Sequence, residues 1–165
     1  RASFAEVCNI HGLGPAKAAQ IKAAIELGRR LTLEAPELSG AISSPADAAE
    51  LVRYEMQGLV QEQLWVILLD TRNRKIWIDK VYTGSLNASM VRVGELFRAA
   101  IQRSAASVIL VHNHPSGDPS PSPEDVSLTR AAVEAGKLMD IEVLDHLVIG
   151  HGKFVSMKEK SLGFA

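Results

Sequence analysis

Three side chains in the second half of the sequence have the types and spacing of a hydrolytic metal site. The stretch VHNHPSGDPSPSPED, residues 111–125, sets His112 and His114 one residue apart and brings Asp125 after ten more. Residues two apart in a strand point to the same side, so both imidazoles can face one point. Two neutral imidazoles and a carboxylate make a three-ligand set with an open fourth position, the catalytic rather than the structural arrangement for zinc. One zinc per chain is therefore expected, with the pKa of a bound water lowered to about 7. Ser122 stands three residues before Asp125. Its hydroxyl can cap a helix, or it can face the oxyanion of a tetrahedral intermediate. The contiguous letters His-Asn-His do not mark the nuclease family called HNH, which takes its letters from residues far apart in sequence.

These residues need a strand before them and a helix after them, and the sequence supplies both. SVILVH (107–112) is apolar nearly throughout, as in a central strand covered on both faces. SPEDVSLTRAAVEAGKLMD (122–140) reads as a helix with Ser122 as N-cap and Pro123 and Glu124 in its first turn. Between them, a loop rich in proline fixes where that helix starts, so that Asp125 can turn back toward the histidines. QLWVILLD (63–70) and KIWIDKVYTGS (75–85) read as two strands joined by a hairpin turn at TRNR. VGELFRAAIQRSA (93–105) reads as a helix, and IEVLDHLVIG (141–150) and KFVSM (153–157) as further strands. SSPADAAELVRYEMQGL (43–59) reads as a helix with Ser44 at its N-cap and Pro45 at its first position. Alternating strands and helices predict an α/β domain with a mixed sheet over residues 44–165.

The composition is that of an ordinary soluble domain with an aliphatic core: 165 residues, 47% hydrophobic, 22% charged and 5% aromatic. The net charge of -1 does not argue for nucleic acid or membrane. Residues 1–32 nevertheless hold five Lys/Arg against two Glu, a local net of +3 that suits an anionic partner. Cys8 is the only cysteine, which excludes an internal disulfide and a thiolate zinc cage. In FAEVCNI it reads as a buried structural thiol. There is neither a signal peptide nor an apolar run long enough to span a bilayer, so a cytoplasmic protein is expected.

HNHPSGDPSPSPEDVSLT resembles the metal signature of the JAMM/MPN+ metalloproteases, H-x-H-x7-S-x2-D. The segments LDT, GS, AAI, SVILVHNHPSGDP, LDHLVIG and VSMKEKSLG more narrowly resemble the bacterial RadC family, over nearly the whole chain. The resemblance implies a cytidine-deaminase-like JAMM/MPN fold, a mixed sheet flanked by helices, and zinc at His112, His114 and Asp125. It implies hydrolysis of peptide or isopeptide bonds, with a link to DNA repair or recombination. It also implies that Glu62, just before the LWVILLD strand, is the general base on the attacking water, and that Ser122 helps polarise the scissile carbonyl. Glu95 competes with Glu62 for the role of base. It lies in a segment that usually reads Pro-Arg-Glu-x-Phe in RadC relatives, where this chain has Val93 and Gly94 in place of Pro and Arg. Asp145 and His146 match the family's LDH. They are read either as residues behind the metal ligands or as a buried hydrogen-bonded pair. His11 and His151 receive no role.

The N-terminal residues raise a second question. PAKAAQIKAAIELGRRL (15–31) is rich in strong helix formers, with Pro15 in a first turn and an apolar stripe of Ala18, Ile21, Ala24, Ile25 and Leu31. IHGLGPAKAAQI resembles the second half of a helix-hairpin-helix motif, which gives residues 1–32 a partial DNA-binding segment. Gly12 and Gly14 allow a tight turn whose N–H groups can meet a phosphate, and Lys17 can add charge. Such contacts are independent of base sequence and sensitive to salt. A helix that only packs is the competing reading. RadC relatives usually carry more helices upstream, so the resemblance implies a truncated or processed chain. Residues 33–43 read as a linker. Two other functions stay open: a metal-dependent nuclease acting on DNA, and a non-catalytic DNA-repair accessory module whose metal is structural. A two-metal nuclease needs more carboxylates than this loop offers.

Overall fold

The computed structural model describes residues 2–34, 40–84 and 91–164. Its contacts divide the chain into Arg1–Gly40 and Ala41–Ala165. The first unit pairs a short helix, α1 (Phe4–Cys8), with α2 (Pro15–Glu34). Ser3 caps α1, accepting from the Glu6 N–H while the Glu6 carboxylate accepts from the Ser3 N–H. Four features differ from the sequence reading. Helix α1 has no counterpart in it, since five residues are too few for a periodic pattern. Cys8 ends that helix half-buried rather than buried, because α1 buries only Val7. In α2 only Ala18 of the expected apolar stripe is buried among the described side chains, while Ile21 and Ile25 are exposed. Helix α2 also runs on through Thr32 to Glu34, and residues 35–39 of the expected linker lie outside the described residues.

In the second unit, the predicted α/β architecture is present. Helix α3 (Pro45–Met56) starts at Ser44, whose side chain accepts from the Asp47 N–H, with Pro45 in its first turn. Strands β1 (Gln63–Leu69) and β2 (Lys75–Thr83) form the expected antiparallel hairpin, and Ser85 lies outside the described residues. Helix α4 (Val93–Gln102) leads to β3 (Ser107–Asn113), and α5 (Pro123–Met139) connects β3 to β4 (Glu142–Ile149) and then β5 (Phe154–Ser156). The five strands are ordered β2-β1-β3-β4-β5. Strand β3 pairs antiparallel with β1 and parallel with β4. The start of β1 and the ends of β3 and β4 therefore meet at one end of the sheet.

Both faces of the sheet are covered, and this explains the unbroken apolar runs in β1 and β3. Leu64, Val66, Leu68, Val108 and Leu110 face the layer of α4 and α5, with Phe97, Leu128 and Ala132. Trp65, Ile67, Leu69, Ile109 and Val111 face the layer of α3, with Ala49, Val52 and Met56. Ile42 belongs to that second layer, and its N–H donates to the Asn73 carbonyl at 2.8 Å. The alternation decides where the chemistry goes. His112 follows Val108 and Leu110 onto the α5 side, where the start of α5 can meet it.

Candidate metal centre

The site is assembled from three elements. β3 contributes His112, the turn after it contributes His114, and the first turn of α5 contributes Asp125. His112 Nε2 lies 3.3 Å from Asp125 Oδ1 and His114 Nε2 lies 3.7 Å from Asp125 Oδ2. The two Nε2 atoms are 3.0 Å apart. Glu62 joins them from the segment leading into β1, and one ligand atom from each of the four residues lies within 4.8 Å of the rest. The site at the strand end thus contains every residue of the expected ligand set and the expected base. Glu95 is elsewhere, exposed in the first turn of α4 and outside this group.

Hydrogen bonds behind the two imidazoles decide which nitrogen faces the centre. His114 Nδ1 lies 2.7 Å from the Asp118 carbonyl, which can only accept, so Nδ1 carries the proton and Nε2 is left bare. For His112 the chain of reasoning is longer. Thr129, one turn beyond Asp125 on α5, donates its hydroxyl proton to the Asp125 carbonyl at 2.6 Å. Its oxygen must then accept from His146 Nδ1, also 2.6 Å away. His146 Nε2 is therefore an acceptor, and it takes the Nδ1 proton of His112 at 2.8 Å. His112 Nε2 is left bare as well. Two imidazole lone pairs and an ionised carboxylate then converge on one volume, an arrangement that repels itself unless a cation or a proton neutralises it. This is the chemistry of a donor set for a divalent metal.

When a proton rather than a cation neutralises the cluster, the imidazoles carry it on Nε2 and donate to Asp125 instead. Burial pushes the Asp125 carboxyl up, but hydrogen bonds from His112, His114 and Ser122 in that protonated state outweigh it and hold Asp125 well below the usual carboxylate range. His114 is raised above an ordinary histidine, mainly by its bond to Asp125, with burial opposing. His146 is pushed well down, first by complete burial and then by the charge of His112, so it stays neutral and can serve as the acceptor required of it.

The loop between β3 and α5 is held against the β4–β5 turn. The His114 N–H donates to the Ile149 carbonyl at 2.9 Å and the His151 N–H to the Gly117 carbonyl at 3.1 Å. Gly117 has φ 86°, and a side chain there would run into His151. Asp118 is tied by Ser120, whose N–H and hydroxyl both bond its Oδ1, and this fixes the carbonyl that aligns His114. Ser122 settles as the cap of α5. Its Oγ accepts from the Asp125 N–H at 3.1 Å and donates to Asp125 Oδ2 at 2.7 Å. Its one proton thus serves the candidate ligand.

Asp145 and His146 prove to do different work. His146 faces His112, whereas Asp145 lies on the opposite face of β4. There it accepts from the N–H groups of His146 and Lys158 and from the Ser156 hydroxyl, tying β4 to β5. The sequence reading missed Thr129 and the Asp118 carbonyl. Thr129 carried a usable signal, since four residues after Asp125 on a helix means the same face. A backbone carbonyl carries none. In the first unit, Gly12 has φ 84°, as the tight turn requires, and Lys17 Nζ donates to the Gly12 carbonyl at 3.2 Å. Gly14 is not in the left-handed region.

A five-stranded mixed sheet flanked by helices, with this donor set at the end of its central strand, defines a JAB-type α/β domain. The family model of the RadC-like JAB domain matches residues 42–162, and the chain belongs to the RadC family. It is similar to a UPF0758 protein of Roseiflexus castenholzii, at 60% identity over 164 residues that cover 99% of this chain and 70% of the relative. A UPF0758 protein of Chloroflexus aurantiacus is 56% identical, covering 99% and 72%. One from Shouchella clausii is 50% identical, covering 96% and 69%. Among the described residues no helix is long and apolar enough to cross a membrane.

Proposed function

We propose that this chain is a zinc-dependent hydrolase of peptide or isopeptide bonds. The observation that carries the reading is the convergence of two bare Nε2 atoms, the Asp125 carboxylate and Glu62 on one point. His112, His114 and Asp125 would hold the cation. When bound, it supplies Lewis acidity toward water and the scissile carbonyl, worth several kcal/mol of charge stabilisation. Glu62 is the base. Its carboxylate takes a proton from the attacking water as the water oxygen bonds to the carbonyl carbon. It then hands that proton to the departing amine as the carbon–nitrogen bond breaks. Ser122 orients Asp125. It can donate to the developing oxyanion only by exchanging its present acceptor, Asp125 Oδ2.

The test combines metal content with turnover. Protein purified without added metal is expected to carry close to one zinc per chain by elemental analysis, and less than about a tenth of an equivalent sinks the reading. Glu62→Gln is expected to keep its zinc and lose about a hundredfold or more in turnover on isopeptide-linked and linear peptide probes. Glu95→Gln is expected to change neither quantity. Cleavage of duplex or single-stranded DNA in parallel assays, without cleavage of either peptide probe, would replace the protease reading with the nuclease one.

A further inference from the structure

The residue between the two histidines has work of its own. Backbone pairing between β1 and β3 ends at Leu64 and His112. One position further out the Asn113 side chain replaces the ladder. Its Oδ1 accepts from the Gln63 N–H at 2.8 Å, and its Nδ2 donates to the Gln61 carbonyl at 3.2 Å. These two groups flank Glu62. The Glu62 carbonyl itself accepts from the Gly84 N–H at 2.8 Å, from the β2 side. Asn113 is buried although it is polar, and both ends of its amide are used. Glu62 precedes the first residue of β1, where a chain end held only by its ladder would fray. It stands two residues before Leu64 and so shares the face on which Leu64 opposes His112.

We propose that Asn113 is a positioning residue that fixes the backbone on both sides of Glu62 and so aims the Glu62 carboxylate at His112, His114 and Asp125. The inference rests on the reading of Glu62 as the base. The amide complements both backbone groups, with one acceptor for an N–H and one donor for a carbonyl two residues away. Aspartate would repel the Gln61 carbonyl, and an aliphatic residue would take away the partner of both backbone groups. His-Asn-His is then a two-part device. The outer residues turn to the metal and the middle one turns to the strand that carries the base.

The test needs no substrate, because Co2+ alone is the probe. Visible absorption of the cobalt-loaded full chain reports the surroundings of the ion, and hydrogen exchange at the Gln63 amide reports the clamp. Asn113→Ala is expected to bind cobalt about as tightly as the wild type, within a few-fold, since none of the three ligands changes. Its cobalt spectrum is expected to shift in the direction given by Glu62→Gln, and Asn113→Ala added to Glu62→Gln to shift it no further. Gln63 exchange is expected to quicken about tenfold or more while the centre of β1 stays protected. A wild-type spectrum or wild-type Gln63 exchange in Asn113→Ala overturns the proposal, as does loss of cobalt binding, which would make Asn113 a support of the ligands instead. If the alanine variant does not fold, Asn113→Asp carries the spectral readout, since it loses the donor to Gln61 while keeping the acceptor for Gln63, and an unshifted cobalt spectrum there overturns the proposal. Glu62→Gln with an unchanged spectrum overturns the base reading itself. A shifted Glu62→Gln spectrum beside an unshifted Asn113→Ala one overturns only the role of Asn113.

Discussion

A histidine becomes a metal ligand by having its other nitrogen occupied, and in this chain the two histidines are occupied in unlike ways. His114 rests on a backbone carbonyl, whereas His112 rests on His146 and through it on Thr129. The second route makes a prediction that Asp125 and His112 alone would not. Thr129→Val keeps the shape of the side chain but removes the acceptor for His146 Nδ1. His146 can then change tautomer and offer a proton to His112 Nδ1, which would move the other proton onto Nε2. Zinc affinity, measured by competition with a chelating dye, is expected to fall about 10- to 100-fold. An unchanged affinity would show that the tautomer of His112 is set elsewhere. The raised pKa of His114 makes a second prediction. A ligand imidazole must be neutral, so below that raised value a proton has to leave before the metal enters. Apparent zinc affinity is expected to fall about tenfold per pH unit on that side and to level off above it. Without metal the sign reverses. The His114–Asp125 pairing stabilises fully below the ordinary histidine value of 6.5 and is lost as pH rises through the raised one. Melting temperatures of metal-free and zinc-loaded protein are therefore expected to move in opposite directions over that interval.

The elements that hold these residues were largely readable in the sequence, for a physical reason. Both strands that build the site carry unbroken apolar runs, Leu64 to Leu69 and Val108 to Val111, and α5 begins with a capping box and a proline, so each announces itself locally. Other features were not readable. α1 is too short to show a period, and the stripe on α2 obeys the helical period although only Ala18 of its described side chains is buried. Contacts between distant segments leave no local trace, such as the seat of the Gly117 loop on the β4–β5 turn or the Asn113 clamp on Gln61 and Gln63. The loop seat can be tested with one methyl group. A Cβ on Gly150 would meet the Gly117 carbonyl, a backbone atom that cannot swing aside. Gly150→Ala must therefore push the loop away from the turn, and Asp118, which orients His114, moves with it. The expected result is a chain that still folds, with α3 and its side of the core intact, but binds zinc at least about tenfold more weakly. Unchanged zinc affinity would mean that the loop finds another seat of equal quality.

Every group of the candidate centre lies within Ala41–Ala165, and none lies in Arg1–Gly40. The division makes a prediction about the molecule cut in two. The cut belongs before Ala41, since Ile42 is buried in the core and bonds Asn73. A chain beginning at Ser43 would lose that apolar contact, worth about 1.5–3 kcal/mol for a fully buried side chain. A chain of residues 41–165 is expected to take up one zinc with the affinity of the full chain and to respond to Glu62→Gln in the same way. Loss of zinc in the shorter chain would show that the first unit completes the site. The same pair of proteins tests the DNA reading of the first unit. Gly12 and Lys17 offer contacts to phosphate and no base-reading geometry, and Lys17 already spends one of its donors on the Gly12 carbonyl. Any affinity of the full chain for duplex DNA that the shorter chain lacks must therefore be independent of sequence and weaken as salt rises. Titrating both chains at two salt concentrations separates the outcomes. A salt-sensitive difference assigns the first unit to phosphate binding, and equal affinity assigns it to packing, with the metal chemistry of the second unit untouched in either case.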